Sequence, residues 1–271
     1  MEGDCPLFGG EKKSFCTLCS VVEGDDTRSM SEQCARSIIK DSAWDLAEIK
    51  TLLSRIVEMG KTGDLPLNVK AGLMAFLESN VDLSEHGNDV VRLLGNAYAF
   101  LGYNNKAVES FEFAIQREED DVTALNNLGV LLARTGRESE AIECYEKVLE
   151  REPENENAWF NLGKAHSRMG KFNKAAHCFQ KVVDINPKNV SAWNNLGVSL
   201  RASGKIKEAI ECYNSAIKLN KDYKWAWNNM GIAYLTKRKY KWAAESFRRA
   251  LEIDPDFKEA KEGLEACGEK L

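Results

Sequence analysis

The 271-residue chain has no apolar run near the roughly 20 residues needed to cross a bilayer. Its opening stretch, MEGDCPLFGGEKKSF, lacks the apolar core of a signal peptide, so a cytoplasmic location is expected. Histidine is scarce: His86, His166 and His177 are scattered, and none stands in a nucleophile–base or acid–base pattern. No phosphate-binding loop is present either, which leaves catalysis without a visible constellation. Excess positive charge is also missing, and a net charge of -5 argues against nucleic-acid binding through overall charge. With 44% hydrophobic and 29% charged residues, the chain has the balance of a folded protein.

Cysteine is unevenly distributed. Cys5, Cys16, Cys19 and Cys34 crowd the start, while Cys144, Cys178 and Cys212 recur at one spacing. A secreted disulfide scaffold would not show this pattern, and a reducing compartment fits it. Cys16 and Cys19 form a C-x2-C pair, the tight half of a four-thiolate zinc site, with Cys5 and Cys34 as outer ligands. The outer spacings are loose and no second C-x2-C follows, so an iron–sulfur cluster, a redox-active pair and four unrelated thiols stay open. A metal would explain how residues 1–30, poor in apolar groups, become ordered. The later three cysteines stand about 10 Å apart if each belongs to one layer of stacked helices, too far for disulfides, and read as small packing residues.

What the sequence has in abundance is repetition. ALNNLG, AWFNLG, AWNNLG and AWNNMG begin at Ala124, Ala158, Ala192 and Ala226, 34 residues apart. With Val122 as position 1, position 4 holds Leu125, Trp159, Trp193 and Trp227, and glycine fills position 8. Alanine fills position 20 (Ala141, Ala175, Ala209, Ala243) and a ring fills position 24 (Tyr145, Phe179, Tyr213, Phe247). Pro153, Pro187 and Pro255 share position 32, where Lys221 replaces proline in one unit. An earlier copy keeps Leu94, Gly95, Tyr98, Ala107, Phe111 and Ala114. Positions 4, 7, 8 and 11 share one helical face, and positions 20, 24 and 27 share a face of a second helix. Gly102, Gly136, Gly170 and Gly204 at position 15 suit a left-handed turn between them, and Arg238 at that place predicts a different turn in the last unit.

These signature positions resemble the tetratricopeptide repeat, a 34-residue helix-turn-helix. The resemblance implies an all-α, right-handed α-solenoid of five helix pairs at 88–121, 122–155, 156–189, 190–223 and 224–257. Such pairs cannot cover their own apolar faces, so capping is expected. Residues 258–271 read as a solvated capping helix retaining Leu264. Within 31–87, Ile39, Leu46, Ile49, Leu53 and Ile56 predict one amphipathic helix and 69–77 another, packing on the array or offering a dimerisation face.

Position 6 falls opposite the core face of each first helix. In the family the first helices line the concave groove, so the resemblance implies a ladder of Asn127, Asn161, Asn195 and Asn229, similar to that of the O-linked N-acetylglucosamine transferases. Each amide donates and accepts, which suits an extended peptide's main chain. A plain solvated site, duplicated with the repeats, is the alternative. The family's carboxylate clamp has counterparts in Arg92, Asn96 and Asn127, but Asn157 and Asn161 stand where its further cations belong, leaving Lys164 as partial replacement. Phe160 and Trp225 are candidate anchors, Trp225 alternatively packing on the preceding repeat's end.

Charge drifts along the array. Residues 88–121 hold seven acids and three bases, whereas 224–257 hold seven bases and four acids. Lys237, Arg238, Lys239 and Lys241 suit an acidic partner or RNA, although a solvated loop is the plainer reading. The expected protein is a non-catalytic adaptor that binds a protein or peptide partner, the competing class being a redox or metal-dependent protein acting through Cys16 and Cys19.

Overall fold

The structure is a computed structural model that describes residues 86–118 and 120–268, together with Lys50, Leu53, Ser54, Val57 and Leu77. The described residues form helices and no strand. In order they are α1 (Asn88–Leu101), α2 (Asn104–Arg117), α3 (Val122–Arg134), α4 (Glu138–Arg151), α5 (Glu156–Arg168) and α6 (Phe172–Ile185). Then follow α7 (Val190–Ala202), α8 (Ile206–Leu219), α9 (Lys224–Thr236), α10 (Tyr240–Ile253) and α11 (Lys258–Gly268). Two compact units divide after Leu131.

In the first unit α1 lies against α2, and the reason is visible at Gly95. A Cβ there would stand 2.7 Å from the Phe111 ring, so only a glycine lets the two backbones approach around that ring. Val91, Ala114 and Ala124 form a small buried cluster beside it. Leu53 and Leu77, both helical, are fully buried, and Lys50 Nζ lies 2.6 Å from Asp89 of α1. Asp121 caps α3, its carboxylate accepting from the Ala124 N–H at 2.9 Å.

The second unit repeats that contact. The rings of Phe179, Tyr213 and Phe247 stand within 2.9, 2.5 and 2.7 Å of where a Cβ would be at Gly163, Gly197 and Gly231. All three rings are at most 1% exposed and have nowhere to retreat. Each pair then meets the next through its second helix: α6 packs on α7, and α8 on α9. The tryptophans at position 4 are only half-buried, and their indole N–H groups explain why. Trp159, Trp193 and Trp227 donate to the carbonyls of Pro153, Pro187 and Lys221 at 2.8, 2.9 and 2.9 Å, so each indole ties its helix to the preceding loop whether or not that loop holds proline. Asn155 and Asn189 cap α5 and α7 by accepting from the N–H of Ala158 and Ala192. Tyr223 gives α9 no such cap. At the far end α11 packs on α10 and α9, burying Ala260 and Cys267 with Leu264 partly covered.

The turns between paired helices close alike. The N–H groups of Lys171, Lys205 and Lys239 each donate at 2.9 Å to the carbonyl five residues earlier, on His166, Leu200 and Tyr234. The expectation of a different turn at Arg238 is corrected here. Arg238 adopts φ +54°, the left-handed conformation that Gly170 and Gly204 hold at +72° and +82°. The packing of α9 on α10 holds the turn in place and overrides the residue's own preference.

A left-handed conformation disfavours a residue with a Cβ by about 1 kcal/mol. Arg238→Gly is therefore expected to raise unfolding stability by about 1 kcal/mol, measured by chemical denaturation. An unchanged or lowered value would show that the turn is not strained.

Candidate functional site

The doubled asparagines separate into two kinds of residue. At position 5, Asn194 and Asn228 are 6% and 4% exposed, whereas at position 6, Asn161, Asn195 and Asn229 are half-buried on the first helices of the second unit. Asn229 Nδ2 donates to Asn194 Oδ1 at 2.9 Å, so the outer amide of one repeat is held by the inner amide of the repeat before it. One donor of Asn229 thus serves the protein's own chain.

That link requires asparagine at position 5, and one repeat departs. Phe160 occupies the position that would face Asn195, and a ring offers no amide acceptor. Neither Asn161 nor Asn195 has a side-chain hydrogen bond among the described residues. At the other end, Asn228 Oδ1 is buried without a partner, because the α11 segment has Gly263 where a further repeat would carry asparagine. Reading the sequence for outward-facing amides missed position 5. The visible signal was the alternation of Asn with Phe160 there.

The other candidate residues separate similarly. Arg92 does not supply a free clamp cation: its guanidinium is 2.6 Å from Asp121 Oδ2, whose side chain is 4% exposed. That pairing meets the charge of one with the charge of the other, so the clamp loses its first cation. Asn96 and Asn127 are half-buried in the first unit. Lys164 is exposed, its Nζ 6.0 Å from the centroid of Phe160. Phe160 itself meets Phe179 edge-on at 5.6 Å, so one side of its ring belongs to the core. Trp225 is 44% exposed and packs edge-on against Phe257 at 4.7 Å, with Lys224 Nζ 5.3 Å from its centroid. Its ring partner is thus Phe257 at the end of its own repeat, where Phe257 replaces the polar cap residue at position 34.

Two further groups bear on chemistry. His166 is 5% exposed in a cleft of about 710 Å³ between α4, α5 and α6, and its Nδ1 has no partner. Burial, with Lys174 and Lys171 nearby, holds its pKa below the usual 6.5. Burial also pushes the thiols of Cys178 and Cys212 up to about 12, so both stay protonated. They are free and buried, as packing residues would be. Among the described residues no three His, Cys, Asp or Glu side chains are placed to hold a metal. Cys5, Cys16, Cys19 and Cys34 lie outside the described residues, and so does the zinc expectation. No helix among the described residues is long and apolar enough to cross a membrane.

Comparison with known proteins adds the following. Models described as tetratricopeptide repeat match residues 92–156 and 225–257, and one described as TPR repeat matches 199–237. A model of the anaphase-promoting complex, cyclosome, subunit 3 matches 134–216. No curated relative matches the sequence. Among solved structures, MamA from Desulfovibrio magneticus RS-1 is 21% identical, with 63% of this chain and 97% of that chain covered and a TM-score of 0.60. YrrB, described as a TPR protein with an unusual peptide-binding site, is 21% identical over 67% of this chain and 91% of its own, with a TM-score of 0.58.

The asparagine link predicts opposite effects for two chemically identical substitutions. Asn229→Ala strands the buried Asn194 oxygen and is expected to cost about 1–2 kcal/mol. Asn195→Ala removes no bond and should raise stability by a few tenths of a kcal/mol through helix propensity, on the order of 0.5. Denaturant melts of the two variants check this, and equal effects would contradict the link.

Proposed function

This chain is a tetratricopeptide-repeat protein, and from that premise we propose that it is a non-catalytic interaction scaffold holding an extended peptide segment of a partner protein along its first helices. The observation that carries the reading is the pair of half-buried amides, Asn161 and Asn195, left without a hydrogen bond on successive first helices. An amide presents a donor and an acceptor together, the complement of an unpaired peptide group. Successive first helices stand about 10 Å apart, a distance that about three residues of extended chain span. One residue in three therefore meets an amide, and recognition falls on main-chain groups with little regard for sequence.

Flanking contacts supply the selectivity. Phe160 presents the part of its ring not engaged by Phe179, and Trp225 keeps 44% of its surface open. Lys164 adds one cation beside Phe160. With Arg92 already paired to Asp121, a carboxylate clamp is disfavoured, and a free C-terminus is not the preferred ligand. Burial keeps the thiols of Cys178 and Cys212 protonated, which leaves them poor nucleophiles and suits the scaffold reading.

Asn161→Ala and Asn195→Ala together are expected to lower partner affinity by about tenfold or more, at about 0.5–1.5 kcal/mol per lost bond, with stability slightly raised. The check is pull-down followed by titration of the captured partner. Undiminished affinity in the double variant would remove these amides from the binding face.

A further inference from the structure

The last repeat carries seven bases and four acids, and the distribution of its ion pairs shows where the surplus lies. Lys224 pairs with Asp254, Arg248 with Glu245, Arg249 with Glu245 and Glu252, and Asp256 with Lys261 of α11. All four acids are thereby engaged. The four remaining bases, Lys237, Arg238, Lys239 and Lys241, form no ion pair among the described residues. Lys237, Arg238 and Lys239 occupy the α9–α10 turn and Lys241 the start of α10, and Arg238 is in a left-handed conformation that glycine would adopt more easily. A strained cation at a position where glycine would serve points to a use for its charge.

The same edge is basic in the two preceding repeats. Lys171 in the α5–α6 turn and Lys205 in the α7–α8 turn match Lys239 at position 16, and Lys207 matches Lys241 at position 18. All five are exposed and none forms an ion pair among the described residues. Glu208 is exposed nearby on α8 without pairing to them. The preceding repeat behaves oppositely at position 16: Arg137, just before α4, is bonded to Glu140, and Glu138 of α4 pairs with Arg168. The uncompensated charge therefore forms a row along one edge of three consecutive pairs. Beside its last member Trp242 is 62% exposed, its ring 6.0 Å from Tyr234.

We infer that this edge is a second docking surface, separate from the face bearing the asparagines, and that its occupant is an extended acidic segment of a partner protein. Equivalent lysines on successive repeats stand about 10 Å apart, the rise of about three residues of extended chain. A carboxylate at every third residue thus meets one lysine per repeat, while an apolar side chain at one end covers Trp242. Single-stranded RNA is a poorer match, since it is held by aromatic platforms on which successive bases stack, and Trp242 is the one large exposed ring beside this row among the described residues. An anionic membrane calls for a broad apolar face, which a row of lysines with one tryptophan does not offer.

The test uses the full chain and three probes: a labelled peptide with glutamate at every third residue and one terminal phenylalanine, an oligouridine, and phosphatidylserine vesicles. The peptide is expected to bind most tightly, with affinity falling as salt is raised. Lys171→Glu, Lys205→Glu and Lys239→Glu combined should weaken it about tenfold or more, and Trp242→Ala about threefold. Circular dichroism should be unchanged, because all four side chains are exposed. The Asn161→Ala, Asn195→Ala double variant should leave this affinity intact, which separates the edge from the peptide-binding face. Equal affinity in the charge-reversed variant, no binding of the peptide at low salt, or tighter binding of oligouridine or vesicles would overturn the inference.

Discussion

An aromatic ring lodged where a glycine has no side chain is the contact on which the array depends. In the second unit, Phe179, Tyr213 and Phe247 each fill the space that a Cβ on Gly163, Gly197 or Gly231 would take. Because the rings are buried and the glycines lie mid-helix, the separation and rotation of each pair follow from this one fit. Rotation matters as much as separation. With positions 7 and 8 turned toward the second helix, positions 5 and 6 fall at the boundary between neighbouring first helices and on their outer surface. The apolar contact thus determines where the polar groups stand.

The polar groups then divide the work between them. Asparagine is a poorer helix former than alanine by several tenths of a kcal/mol, on the order of 0.5. One hydrogen bond between Asn229 and Asn194 offsets that in the last repeat, whereas Asn126, at the same position as Asn194, keeps its Oδ1 without a partner. Where Phe160 interrupts position 5, the propensity cost at Asn195 has no internal compensation, and a ligand is the natural source of one. Edge charges follow a parallel logic. The acids of the last repeat are taken up by bases on its helices and on α11, so the surplus collects at and beside the turn, where Arg238 tolerates a conformation that suits glycine.

The helical repeat architecture was legible because a period of 34 carries its own check, with glycine, alanine and ring returning together. Helical periodicity alone set position 6 apart from the core positions 4, 7, 8 and 11, and the amides there are half-buried. Contacts between neighbouring repeats were not, and that is why Asn194 and Asn228 were overlooked: a face can be assigned from one helix, whereas a bond from Asn229 needs the neighbour in place. Arg238 misled for the opposite reason, since local preference spoke for a new turn and tertiary packing imposed the old one. Arg92 misled because the acid that neutralises it, Asp121, lies 29 residues away.

The central claim is that unpaired side-chain amides on the first helices hold the main chain of another protein. It is tested most directly by selecting a peptide that binds the full chain from a displayed library and measuring its affinity after N-methylation of successive backbone amides, alongside substitution of its side chains by alanine. The account predicts that methylation at about every third residue abolishes binding while most side-chain substitutions leave it nearly unchanged. Binding that survives backbone methylation and fails on side-chain substitution would contradict it.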